Sequence, residues 1–525
     1  MIRRRAGRMG PECRMGRESC RGREARKAAR VGVFVRLGVA GLIGVLGLTA
    51  SPSLAAQEIS SLEQLLGLEG VDPQVLPLDE AIATALDRNR EVREARLQVE
   101  QAAGQVTEAW GEIFPRIDLN ASWTRNISPP VSFLPAIFFD PDRDPDELVP
   151  VAFGLDNAWS SNLSLEQPLF QARAFVGVGA ASRFEALQDE QLRGRIHEVV
   201  TAVRRDYYDL LLAEEQARLI DRSVRRVVES LEETRALERA GLVSDYDVLR
   251  LEVELANLEP QLRRAANAAL RTERDLVSRL DLPEGTRLRA MGSLAEVDLD
   301  DTSANTPANE ALLRTNGVDL PEEPGPTTIA GLLERARVSS SPIQQAGLNR
   351  ELRHAELRAS QAELLPTVSL FGSYQIQAQQ DGGPSFFGGQ RGYGRLVGVQ
   401  VTVPLFSGRQ RLARVDQGRS ALRIADLQVE TTEDLVRDEL RNVLDRIHEA
   451  RLRTRGQRLA VQQATRGFEI VSAQYREGLS SHLELTDAEV ALRQSEFNYA
   501  EAVYDYLVAR AELDELVGEV PLARR

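Results

Sequence analysis

The sequence has 525 residues, of which 42% are apolar, 27% charged and only 5% aromatic, a length that suggests several domains and a composition that leans toward long helices. Lys plus Arg number 65 against 79 Asp plus Glu, a net charge of −14, and an acidic chain without a basic stripe is not built to bind nucleic acid. Beyond residue 56 there is neither lysine nor cysteine, which excludes a P-loop lysine, a Schiff-base lysine, a cysteine nucleophile, thiolate metal ligands and any disulfide.

Residues 1–56 carry 12 basic and 3 acidic side chains. A basic run from Arg3 to Arg30, an apolar run from Val31 to Ala50 and the small residues Ser53-Leu54-Ala55-Ala56 predict a cleaved secretory signal peptide. A short segment, 57–77, follows it. No later stretch approaches about 18 uninterrupted apolar residues, so entry into a membrane must use β-structure.

The body is one unit written twice. Pro115-Arg-Ile-Asp-Leu-Asn-Ala-Ser-Trp123 recurs as Pro366-Thr-Val-Ser-Leu-Phe-Gly-Ser-Tyr374, and Leu165-Glu-Gln-Pro168-Leu-Phe170 recurs as Val401-Thr-Val-Pro404-Leu-Phe406. Gly241-Leu-Val-Ser244-Asp-Tyr-Asp247-Val recurs as Gly478-Leu-Ser-Ser481-His-Leu-Glu484-Leu. The repeats are assigned to 78–281 and 327–517. Between them 282–326 reads as an acidic, proline-rich linker lying loosely on the helices, and 518–525 as a tail. Each copy reads helix, strand, loop, strand, very long helix, tight turn, helix. The first copy is longer between its two strands, and its excess falls in Ser128–Pro150, whose six prolines predict a long loop.

The strands alternate with period two. Ile117, Leu119, Ala121 and Trp123 share one face, opposite Asp118, Asn120, Ser122 and Thr124. Trp159, Leu163 and Leu165 stand opposite Ser160, Asn162, Ser164 and Glu166. Val368, Leu370, Tyr374 and Ile376 form a third apolar face and Val397, Val399, Val401 and Val403 a fourth, and such segments suit a membrane barrel with a wet interior. A soluble sandwich would need a second sheet, for which no further strands are read. From about Gln171 to Arg239 there is no proline, and Leu192, Ile196, Val199, Val203, Tyr207, Leu210, Ala213, Ala217, Ile220, Val224, Val227 and Leu231 recur at spacings of 3 and 4, a coiled-coil seam. Gln410 to Arg476 is its counterpart. Four strands cannot close a barrel in lipid, so the chain must oligomerise; two copies give eight strands filled by side chains, three give twelve and a channel.

With its paired Pro-Leu-Phe strand ends, paired Gly-Leu-x-Ser turns and internal duplication, the chain resembles the outer-membrane efflux proteins, the TolC-like channels. The resemblance implies a mainly α protein with membrane β-structure, an internally duplicated α/β-barrel fold with four strands and long coiled-coil helices per protomer. It implies a homotrimer whose twelve-stranded barrel sits among outer-membrane lipid above an α-helical tunnel in the periplasm. It also implies an exit duct for tripartite efflux or type I secretion, docking on a periplasmic adaptor (membrane fusion) protein and through it on an inner-membrane pump, with no catalysis, cofactor or metal. The adaptor-docking tips map onto Arg239, Gly241, Leu242, Ser244, Asp247, Gly478, Leu479 and Ser481. The pore constriction maps onto Glu484 and Asp487, with Tyr475 and Asp247 as further gate members; in a trimer the two acids would place six carboxylates around the pore, a field favouring cations. An arginine that some members carry two residues after the glycine is Ser480 here. Read from the residues alone, Gly241 and Gly478 suit left-handed positions closing one helix. Ser244 with Asp247, and Ser481 with Glu484, suit capping boxes opening the next. The competing reading is a periplasmic adaptor or coiled-coil scaffold that never enters a membrane, which leaves the repeated amphipathic strands unexplained.

Overall fold

The computed structural model describes residues 62–66, 73–301, 304–315, 328–383 and 390–521, apart from Pro129, Arg143, Pro145 and Glu147. The signal peptide expected over 1–56 lies outside them. After helix α1 (Leu62–Leu65) and strand β1 (Gln74–Leu76), the first half runs α2 (Leu78–Arg88), α3 (Arg90–Gly111), β2 (Arg116–Arg125), β3 (Val131–Pro135), β4 (Leu148–Ala152), β5 (Asn157–Gln171), α4 (Ala172–Arg239) and α5 (Asp245–Arg279). A connecting segment holds β6 (Leu288–Ala290) and α6 (Pro307–Thr315). The second half runs α7 (Ile329–Ser339), α8 (Ser341–Ala362), β7 (Thr367–Gln380), β8 (Gln390–Thr402), α9 (Gln410–Arg476) and α10 (His482–Val517).

The duplication holds element by element, down to the break between the first two helices of each half. Asn89 makes that break in the first half: its side chain accepts from the Glu91 and Val92 N–H groups and donates to the Arg279 carbonyl at 2.9 Å, capping α3 and tying it to the end of α5.

One antiparallel sheet has the order β2-β5-β7-β8. Its register aligns the four alternating patterns. Leu119 pairs with Leu163, Leu163 with Tyr374 and Tyr374 with Arg395, while Ile117, Leu165, Gly372 and Val397 form the next row. All four apolar sets therefore fall on one side of the sheet, and Asn120, Asn162, Ser373 and Gln375 fall on the other. Strand lengths of 10, 15, 14 and 13 residues reach the roughly 9–11 that a tilted membrane strand requires. Among the described residues no helix is long and apolar enough to cross a membrane.

The helices continue the order of the sheet. α4 packs between α3 and α8, and α8 packs against α9. Since α3 leads into β2 and β8 leads into α9, the lateral order α3-α4-α8-α9 stacks on β2-β5-β7-β8. Both layers end at the same two open edges. At about 1.5 Å per residue, the 68 residues of α4 make a rod of roughly 100 Å. Its predicted seam is observed: Val199, Val203, Tyr207, Leu210, Ala217, Val224, Val227 and Leu231 are buried. At mid-length the fully buried Arg204 reaches Asp514 of α10 at 2.9 Å, joining the two halves.

Two expectations are corrected. In its described residues, 282–301 and 304–315, the segment between the repeats is no loose linker. β6 pairs in parallel with β1, and Leu288, Leu294, Val297, Leu299, Leu312 and Leu313 belong to the largest buried cluster. The Tyr207 hydroxyl lies 2.9 Å from the Leu76 carbonyl and accepts the Met291 N–H at 2.7 Å, and the Tyr499 hydroxyl donates to the Val297 carbonyl at 2.6 Å. Its acidic residues hold it down: Asp298 meets Arg458 at 2.7 Å and Asp300 meets Arg455 at 2.8 Å. Pro307 does not forbid structure, because it opens α6, where its missing N–H costs nothing. The second correction concerns the strand count. The loop over Ser128–Pro150 contains most of the β3–β4 hairpin, and β1–β6 forms another pair. Neither joins the four-stranded sheet as a second layer.

Candidate functional site

The predicted site residues gather at the two hairpin tips, α4–α5 and α9–α10. Each long helix ends on a glycine with positive φ, +74° at Gly241 and +71° at Gly478. The closing hydrogen bonds repeat: the Leu242 N–H reaches the Leu237 carbonyl at 3.0 Å, and the Leu479 N–H reaches that of Gln474 at 2.8 Å. This is the 6→1 bond of a left-handed helix stop. A Cβ at either glycine would meet nothing within 4 Å, so backbone conformation, not crowding, requires glycine there. The turn leaves Leu242 at 72% and Leu479 at 80% exposure, two apolar side chains facing water at the end of a rod. Arg239 folds back, donating from Nε to the Arg235 carbonyl.

The next helix of each hairpin opens on a serine cap. At the first tip the Asp247 carboxylate accepts from the Ser244 N–H at 3.1 Å and from its hydroxyl at 2.8 Å. At the second the bonds are reciprocal: Ser481 Oγ accepts the Glu484 N–H at 3.3 Å while Glu484 accepts the Ser481 N–H at 2.9 Å. Glu484 gains a further donor, the Ser480 hydroxyl at 2.6 Å. That bond, with the Ser481 N–H behind it, holds the Glu484 carboxyl below its ordinary range. The carboxylate is thus ionised at neutral pH. Asp487 is exposed one turn further along α10.

Of the other predicted gate members, Asp247 is engaged in capping its own helix, and Tyr475 packs its ring on His482, centroids 5.9 Å apart. His482 was not among the predicted site residues. Its Nε2 lies 3.5 Å from Glu254 of α5, and the Thr486 hydroxyl donates to the same carboxylate at 3.4 Å, so the second tip is fastened to the first hairpin. No local pattern signals this, because the partners are 228 positions apart. Among the described residues no cluster of three His, Cys, Asp or Glu could hold a metal ion.

At the opposite end of the rods the sheet offers one apolar and one polar face. Its other face carries Asp118, Asn120, Asn162, Ser164 and Glu166. An apolar outside, a hydrated inside and a rod below suit a wall of a pore.

Known proteins share this arrangement. The family model described as outer membrane efflux protein matches residues 81–280 and 332–519. The alkaline protease secretion protein AprF of Pseudomonas aeruginosa is 26% identical over 427 residues, 80% of this chain and 80% of that protein. The outer membrane protein TolC of Vibrio cholerae is 19% identical, with 84% and 90% covered. Among solved structures, the Campylobacter jejuni CmeC outer membrane channel superposes with a TM-score of 0.66 at 16% identity, covering 85% of this chain and 87% of that one. The open state of the Neisseria gonorrhoeae MtrE outer membrane channel gives 0.63 at 18%, covering 85% and 91%.

Proposed function

We infer function from one premise: this chain belongs to the outer membrane efflux protein family. It is an outer-membrane channel protein. We propose that three copies form the duct, their sheets closing a twelve-stranded barrel and their rods a tunnel through the periplasm. One observation carries the proposal: the open edges of the sheet, β2 and β8, lie directly above the open edges of the helical layer, α3 and α9. Because β2 and β8 run in opposite senses, β8 of one copy can pair antiparallel with β2 of the next, so one contact satisfies both layers at once. An unpaired strand edge in lipid is too costly to persist. A scaffold outside the membrane would leave the continuous apolar face without a role.

The tips at Gly241 and Gly478 are proposed to dock a periplasmic adaptor that links the duct to an inner-membrane pump, their exposed Leu242 and Leu479 supplying apolar contact. Glu484 and Asp487, both exposed beside the second tip, are proposed to ring the constriction and to favour cations. The AprF relative, named for alkaline protease secretion, supports a protein cargo beside small-molecule efflux. The test is the mass of the detergent-solubilised protein together with planar-bilayer recording. A trimer with cation-selective openings, weakened by Glu484→Gln with Asp487→Asn, is expected. A stable monomer would remove the barrel, and unchanged selectivity in the double variant would leave both acids as helix caps only.

A further inference from the structure

Resting on the reading that the sheet spans the membrane, we propose that its outward face, on the side away from the rods, binds phosphate-bearing lipid headgroups through Arg391 and Arg395. The register fixes which side chains face outward. On β2 these are Ile117, Leu119, Ala121, Trp123 and Arg125; on β5 they include Trp159, Leu163 and Leu165. On β7 they include Leu370, Tyr374, Ile376 and Ala378, and on β8 Arg391, Tyr393, Arg395, Val397, Val399 and Val401. Three residues of this outward set are charged, all of them arginines, and its paired positions include no Asp or Glu. The acids of the sheet, Asp118 and Glu166, point to the other side.

The arginines are also segregated along the strands. All three lie toward the loop ends, while Val397, Val399 and Val401 fill β8 toward the rods. Arg391 shares a cross-strand row with Ala378, Trp159 and Trp123, and the two tryptophan rings pack at a tilt of 33°, centroids 5.8 Å apart, the residue type that marks a membrane–water boundary. Arg395 lies two rows deeper, in the row of Tyr374, Leu163 and Leu119. Its guanidinium sits over the Tyr374 ring, 5.3 Å from the centroid, and among the described residues it meets no carboxylate. A guanidinium at that depth is costly until it reaches an anion, and its planar fork matches phosphate oxygens two at a time. Arg125 is held by Asp156 at 3.7 Å. The exposed Tyr393 between the two β8 arginines completes an amphipathic surface at headgroup level.

The test uses the full-length protein reconstituted in phosphatidylcholine vesicles doped with spin-labelled phosphatidic acid or spin-labelled phosphatidylcholine. Electron paramagnetic resonance reads the motionally restricted fraction of each label. Wild type is expected to retain the phosphatidic acid label about fivefold more strongly than the phosphatidylcholine label. Arg391→Gln with Arg395→Gln should bring the ratio to one, and Arg391→Lys with Arg395→Lys should keep part of the preference because charge survives and the fork does not. Equal retention of both labels by wild type, or a full preference in the glutamine variant, overturns the proposal; should that variant fail to insert, the wild-type ratio alone decides. A protein that restricts neither label would overturn the membrane-spanning reading instead.

Discussion

Helices α4 and α9 are copies of one element, 68 and 67 residues long, yet α4 buries 22 residues and α9 only seven. The difference lies in their neighbours. α4 runs between α3 and α8 with α5 and α10 beside it, whereas α9 stands at the lateral edge with α8 and α10. Along α9, Leu412, Ile424, Leu427, Leu435, Leu452, Leu459 and Ile470 are each more than half exposed. A stripe of that size on a monomer marks an interaction surface. Duplication made two equal rods; position in the layer made one a core element and left the other's apolar side chains for a partner.

The largest expected effect follows from that contrast. Leu452 and Leu459 are seven residues apart on the open side of α9. Leu452→Arg with Leu459→Arg should abolish the trimer while leaving helical content intact, read by mass measurement in detergent and by circular dichroism. The equivalent insult on α4, Val203→Arg at a fully buried position, should prevent folding. A trimer that survives the α9 pair would show that the stripe is not the seam.

Buried and exposed ion pairs extend the comparison. Arg204 of α4 is fully buried against Asp514, whereas Arg453 of α9 pairs with Asp505 in the open, both 39% exposed. Arg204→Ala leaves the largely buried Asp514 with only Arg510, at 3.8 Å, and should cost about 3 kcal/mol, against no more than about 1 kcal/mol for Arg453→Ala. Denaturant titration of the two variants measures both, and equal losses would erase the distinction between the rods.

Glu214 of α4 gives the contrast a pH dependence. Burial pushes its carboxyl up to about 7, opposed by Arg289 and reinforced by Glu273. Between the ordinary carboxylate value and about 7 the folded chain keeps a proton that the unfolded chain has lost, so stability falls as pH rises through that window. Glu214→Gln should remove a decline of the order of 2 kcal/mol between pH 5 and pH 8. An undiminished decline in the variant would assign it to other groups.

What was legible in the sequence is what the chain specifies locally. The limits of α9 at Gln410 and Arg476 and the four strand faces appear where the pattern puts them, because period-two alternation and proline-free runs act within a few residues. The connecting segment was misread because acid and proline content outweighed Leu288, Leu294, Val297 and Leu299, whose partners lie on distant helices. Periodicity marks the apolar side of both rods without saying which neighbour covers it, so the α4–α9 asymmetry was invisible. The His482–Glu254 contact is hidden for the same reason.

The smallest expected effect sharpens the comparison at a single residue. The tips share their stop glycines and serine caps, but Ser480 of the second stands where the first has Val243. Its hydroxyl, foremost among the donors to Glu484, holds that carboxyl below its ordinary range. Ser480→Val makes the second tip a copy of the first while sparing the Ser481 cap, so the hairpin should fold as before and Glu484 should take up its proton at higher pH. If Glu484 helps set the ionic preference of the constriction, cation selectivity in planar bilayers should then collapse at a higher pH in the variant than in wild type. The shift must appear on the acid side of neutrality, because both proteins carry the ionised carboxylate at pH 7. Superimposable titrations of selectivity would confine Glu484 to capping α10 and move the search for the constriction further along the helix, beginning with Asp487.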